Sequence, residues 1–211
     1  MIPLDDFLSA LAVRRPVFHS EADFQHALAW QIHSELPDAQ IRLEIPIQCG
    51  DELFRVDMLV RTPLGTTAIE LKYKTKRATV IHNDERFELG NHAANDHGRY
   101  DFLKDVQRIE LLAQAGIVSA GFAVLVTNDH LYWEQQREEA NDYAFHVGTG
   151  RVLSGDLAWR PATGKGTIAK REASLMLRGS HRCDWREFSQ IQAVRYGNFR
   201  CLMLRVQPPA V

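Results

Sequence analysis

Residues 119–129, "SAGFAVLVTND", hold a nearly unbroken apolar run from Ala120 to Val126. It is too short to span a membrane, and Asn128 and Asp129 punctuate its end. A run of this length and kind is a strand buried on both faces. It follows a helical pattern over 100–116, "YDFLKDVQRIELLAQAG", in which Phe102, Leu103, Val106, Ile109 and Ala113 form one apolar stripe and Gly116 closes the helix. A second helical pattern starts at Ser20, a good N-cap, and carries Phe24, Ala27, Leu28 and Ile32 on one side. Pro37 ends it by pushing Leu36 out of helical geometry.

Between the helices lie three strand patterns. Ile41, Leu43, Ile45 and Ile47 alternate, with Pro46 marking an edge or a bulge. Phe54, Val56, Met58 and Val60 are expected on one face of the next strand, with Arg55, Asp57 and Leu59 on the other. "TPLG" (62–65) is a turn, and "TTAIELKYK" (66–74) puts Ile69, Leu71 and Tyr73 opposite Ala68, Glu70, Lys72 and Lys74. Residues 75–99 are polar and weakly periodic. They are expected to form a long loop or flap with a short strand at "ATVIH". Short Gly-broken strands follow position 150. The order helix, three strands, helix, strand is that of an α/β core with a mixed sheet and extra C-terminal β strands.

The third strand is unusual in carrying Glu70 and Lys72 among buried positions. A turn centred on Pro63 and Leu64 sets Asp57 directly opposite Glu70, with Cβ atoms about 5 Å apart. Two adjacent carboxylates repel and raise each other's pKa unless a cation lies between them. A hard divalent ion such as Mg²⁺ suits two carboxylates plus waters and a substrate phosphate. Lys72 shares their face and is placed to hold a phosphate oxygen or a water. This is the arrangement for metal-assisted hydrolysis of a phosphodiester.

Asp57, twelve residues, then Glu70-Leu71-Lys72 resembles the motif of the PD-(D/E)XK nucleases. The element order resembles that family's restriction-endonuclease-like αβββαβ core over roughly 18–128. The resemblance implies that Asp57, Glu70 and the Leu71 carbonyl hold Mg²⁺, with Mn²⁺ able to substitute, and that Lys72 orients the attacking water. Glu21, on the first core helix, matches the acid that many members add. Val56 stands where the motif name has proline. The implied activity is metal-dependent cleavage of nucleic acid, DNA before RNA. The alternative is a catalytically silent nucleic-acid-binding or protein-interaction module on the same fold. The corresponding division is a helical extension over 1–17, a nuclease-like core over 18–130 and a β-rich elaboration over 131–211.

Lys74, Lys76 and Arg77 continue the strand as a phosphate track. Asp101, Lys104, Asp105 and Arg108 form a stripe at i, i+3, i+4, i+7. It reads equally as solvated salt bridges or as a helix face from which Lys104 or Arg108 touches phosphate or orients Glu70. His82, His92 and His97 match no zinc spacing and read as loop histidines. Tyr132 and Trp133 read as sealing the core edge rather than stacking on bases. "TGKG" (163–166) lacks the Walker spacing.

The net charge is only −2, but from Arg160 onward the bases exceed the acids by seven. That asymmetry is a weak pointer to an anionic partner. Cys49, Cys183 and Cys201 form no CxxC pair and suggest a reducing cytoplasm. The acidic N-terminal stretch lacks the bases of a signal peptide, and no apolar run is long enough for a membrane. "FRCLMLRV" (199–206) is expected as an edge strand on which a homodimer could form.

Overall fold

The 119–129 run forms the most buried strand of a six-stranded sheet, in which every residue of Ala120–Thr127 is buried. The computed structural model describes residues 2–135 and 137–207. Gln136 and residues 208–211, both within the expected C-terminal region, lie outside the described residues. In chain order the elements are α1 (Leu4–Arg14), α2 (Glu21–Glu35), β1 (Gln40–Cys49), β2 (Glu52–Thr62), β3 (Gly65–Lys74), β4 (Ala78–His82) and β5 (Glu85–Leu89). Then come α3 (Asn95–Gln114), β6 (Ala120–Thr127), β7 (Val152–Leu157), α4 (Lys165–Ile168), β8 (Leu175–Arg182), β9 (Arg186–Gln190) and β10 (Asn198–Val206). The main sheet runs β1-β2-β3-β6-β10-β9. Among the described residues only β3 and β6 pair in parallel, and α3 lies in the crossover between them.

Each face of the sheet is covered. On one side α1, α2 and the β4–β5 hairpin bury Leu8, Phe24, Leu28, Val80 and Phe87 against Ile69, Leu71, Tyr73 and Val124. On the other, α3 and the β7–β8 hairpin bury Phe102, Val106, Leu153 and Leu177 against Ala68, Ala123, Leu125 and Leu202. Each such large apolar side chain contributes about 1.5–3 kcal/mol. Gly121 lets α3 approach β6 closely, since a Cβ there would fall 2.1 Å from Ile109 Cγ2. As expected, Ser20 caps α2, its hydroxyl accepting the Asp23 N–H at 3.1 Å, and the helix stops before Pro37.

Four expectations change. Within 75–99 the expected strand "ATVIH" is present as β4, but β5 pairs with it, so the segment is not one long loop. The two strands form a hairpin whose Ala78, Val80, Phe87 and Leu89 enter the core, followed by the first turn of α3. The turn residues Asn83 and Asp84 both have positive φ, 50° and 63°, the geometry of a two-residue hairpin turn. Secondly, "REFSQ" forms β9, which was not anticipated. Thirdly, β10 is no edge. It pairs with β6 on one side and β9 on the other, so "FRCLMLRV" is not free to join a second copy. Fourthly, Phe54 and Val56 do not share a face with Met58 and Val60: the first two pack on the α3 side and the last two on the α2 side. The cause lies at Asp57. Among the described residues no helix is long and apolar enough to cross a membrane.

Candidate functional site

Strands β2 and β3 pair from Thr62↔Gly65 to Met58↔Ile69, the register that the turn predicts. The next rung would set Asp57 against Glu70, and there the ladder stops. Instead, Asp57 Oδ2 accepts the Leu71 N–H at 2.7 Å. The ladder on the other side of β2 opens at the same place: Leu43↔Met58 and Ile45↔Val56 pair, but Glu44 and Asp57 do not. Glu44 has φ of 50°, uncommon for a residue with a Cβ. The amide of Gln25, on α2, fills the gap by donating to the Asp57 carbonyl at 2.6 Å and to Glu44 Oε1 at 3.0 Å. Both strands change their packing face here, since Ile41 and Leu43 lie against one core and Ile45 and Ile47 against the other. A cleft of about 290 Å³ results, lined by Glu21, Ala22, Gln25, Glu44, Asp57 and Leu71.

Glu70 lies beneath, only 2% exposed. Its Oε1 accepts from Arg108 Nη1 at 2.6 Å, and its buried Oε2 has no hydrogen-bond partner among the described residues. Arg108 also donates to the Arg55 carbonyl, lies 3.2 Å from Asp105 and covers the Phe54 ring. Lys72 Nζ stands 2.5 Å from Asp105 Oδ2 and donates to the Leu71 carbonyl at 3.2 Å. Glu21 Oε2 accepts the Tyr73 N–H at 2.8 Å, with Lys74 Nζ 3.8 Å away. Thus Asp57, Glu70, Lys72, Glu21, Leu71 and Arg108 come together.

The remaining predicted residues do not converge so closely. Lys76 pairs with buried Asp129 at 3.1 Å, while Arg77 and Lys104 are exposed. Tyr132 is buried under Arg99, in the sealing role. His92 accepts the Thr75 N–H, and His97 Nε2 lies 2.6 Å from the Thr167 carbonyl.

Three residues of the site were not assigned a role from sequence. Asp105, which anchors Lys72, lay within the α3 stripe, and nothing in the sequence set it apart from the exposed Lys104 beside it. Gln25 lies one helical turn after Glu21 and so shares its face, a usable signal. Glu44 is marked only by being a charge among alternating isoleucines and leucines.

Burial raises the pKa of Glu70, Asp105 adds to the rise, and Arg108 opposes it. Burial also raises Asp57, against the Leu71 N–H and Lys72, which favour its charged form. Burial pulls Lys72 down, but Asp105 and Glu21 outweigh it and hold the ammonium above the ordinary lysine range. With Glu21 matched by Lys74 at the rim, three buried carboxylates (Asp57, Glu70, Asp105) face two cations, Lys72 and Arg108. With all three ionised, one negative charge is left uncompensated, the state that a bound cation would favour. Burial is the largest cause of the rise at Glu70, and Asp57 adds to it as a lesser one.

Among the described residues, no three His, Cys, Asp or Glu side chains form a ready cation cage. Asp57 and Glu70 with the Leu71 carbonyl provide a sparser donor set, the kind with which Mg²⁺ keeps several waters. The partnerless Glu70 Oε2 and the uncompensated charge fit a cation in that position. The chain matches no family model, no curated protein and no solved structure.

Proposed function

We propose that this protein is a metal-dependent nuclease that hydrolyses phosphodiester bonds of nucleic acid, with DNA as the first substrate to test. The supporting observation is the meeting of Asp57, Glu70 and Lys72 where two strand ladders open together. A strand opening of this kind exposes polar groups at a cost, and such costs concentrate at functional sites. A bound Mg²⁺ would polarise the phosphate and acidify a water. Asp57 is aimed by the Leu71 N–H, and Glu70 is clamped by Arg108, so neither carboxylate needs to reorganise on binding. Lys72, held charged by Asp105 and Glu21, does not act as a base. Its ammonium positions the attacking water and steadies charge developing on the phosphate. Exposed Arg77 and Lys104 are available to the nucleic-acid backbone.

A second reading is a silent nucleic-acid-binding or interaction module on this fold. It is favoured by two observations: Arg108 already occupies Glu70 Oε1, and among the described residues no three acidic side chains form a cation cage. Cleavage of plasmid, linear duplex and single-stranded DNA with Mg²⁺ or Mn²⁺ separates the two. The nuclease reading expects metal-dependent cutting that Glu70→Gln and Lys72→Ala both abolish. No cutting by the unaltered protein, with no Mg²⁺ or Mn²⁺ binding by calorimetry, leaves the binding module.

A further inference from the structure

The loop between β6 and β7 builds a second polar cavity, of about 480 Å³, whose walls include Tyr143, His146, Gly148, Thr149 and Arg151. That volume is within the range of small-ligand pockets. His146 is only 3% exposed. Its Nε2 lies 3.1 Å from Asp142 Oδ1, and Asp142 Oδ2 accepts from Arg99 Nη1 at 2.5 Å. Asp142 therefore orients the imidazole with Nε2 as its donor, and in that tautomer the lone pair is at Nδ1. Nδ1 is buried and has no hydrogen-bond partner among the described residues.

Beside it, the Arg151 guanidinium lies 4.1 Å over the Tyr143 ring. Arg151 is half-buried and makes no ion pair among the described residues, while the one acid on the rim, Glu138, is exposed. A planar guanidinium stacked on an aromatic face and lacking a carboxylate suits a phosphate. Hydrogen bonds and close packing tie the frame around these groups. Thr149 donates both its N–H and its hydroxyl to the Trp133 carbonyl. A Cβ at Gly148 would come within 2.9 Å of the Glu134 carbonyl, so the loop accepts only glycine there without shifting.

We propose that this cavity binds a nucleoside monophosphate, with Arg151 taking the phosphate and His146 Nδ1 accepting from a sugar hydroxyl. The site shares no residue with the Asp57–Glu70–Lys72 cluster, and the proposal stands apart from the nuclease reading. It is tested on the full chain by calorimetric titration with AMP and with inorganic phosphate, alongside ¹⁵N NMR of the histidine rings. AMP is expected to bind and to shift the His146 Nδ1 resonance. Arg151→Gln, which should leave the fold intact, and His146→Gln are each expected to weaken binding by about tenfold or more. Arg178→Gln, on β8, should bind as the unaltered protein does. No AMP binding overturns the proposal. So does AMP binding that folded Arg151→Gln retains at full strength, and so does inorganic phosphate binding as tightly as AMP.

Discussion

The side-chain amide of Gln25 donates to the main-chain carbonyl of Asp57 at 2.6 Å, in the position where a strand partner would otherwise sit. One helix residue thereby keeps β1 and β2 parted at the aspartate and holds Glu44 in its left-handed conformation. Gln25→Leu removes both bonds from a buried position. It should cost about 1–3 kcal/mol in stability. It should also weaken Mn²⁺ binding, as the ladder closes and Asp57 turns. Urea denaturation and calorimetry measure the two. Unchanged metal affinity in a folded variant would show that the opening does not position Asp57.

Asp105 is the nearest counter-charge to Lys72, at 2.5 Å. Asp105→Asn leaves that ammonium buried with a weaker partner, and breaking a buried pair costs about 3 kcal/mol. Its acidity should rise, so on the nuclease reading cleavage by the variant should fail at a lower pH than cleavage by the unaltered protein. The rate at neutral pH should drop about 10- to 100-fold, as for loss of an orienting outer partner. A pH–rate profile tests the shift, which a role in stability alone would not produce.

Burial and Asp105 push the Glu70 carboxyl up to about 9, from an ordinary value of 4.5. Between those limits the folded chain keeps a proton that the unfolded chain has released, so stability must fall as pH rises through this window. A cation needs the ionised carboxylate, so its binding expels the proton and its affinity climbs with pH. Thermal melts should therefore show Tm declining from pH 6 to pH 9 without metal, and Mg²⁺ raising Tm more at pH 9 than at pH 6. Glu70→Gln should flatten both trends.

Asn83 and Asp84 turn the β4–β5 hairpin with φ of 50° and 63°. Asp84→Gly relieves the second of these and should stabilise the fold by about 0.5–1 kcal/mol. Phe87→Ala, in the same hairpin, empties a core position and should cost about 3 kcal/mol. Together the two denaturation midpoints test whether residues 78–89 belong to the folding unit; a negligible effect of Phe87→Ala would place the hairpin outside it.

Much of the frame was legible in the amino-acid order because it depends on local periodicity. The apolar run of β6, the stripes of α2 and α3, and the two-residue turn at Pro63–Leu64 each state their geometry within a few residues. The parity of β3 follows from the same period, and with it the common face of Glu70 and Lys72. The β4–β5 hairpin was harder to read because its turn is Asn-Asp rather than Asn-Gly and each strand places only two side chains in the core. The place of β10 was not readable, because its apolar alternation is the same whether one neighbour or two lie beside it.

The amino-acid sequence by itself determined the buried run of β6, the apolar stripes of α2 and α3 and the two faces of β3, since those follow from chain geometry over a few residues. Only the tertiary structure decided that Asp105 reaches Lys72, that Arg108 clamps Glu70, and that Gln25 parts two strands at Asp57. These contacts join residues 32 to 38 positions apart. Their geometry depends on how α2 and α3 settle against opposite faces of the sheet, and packing across the whole core sets that.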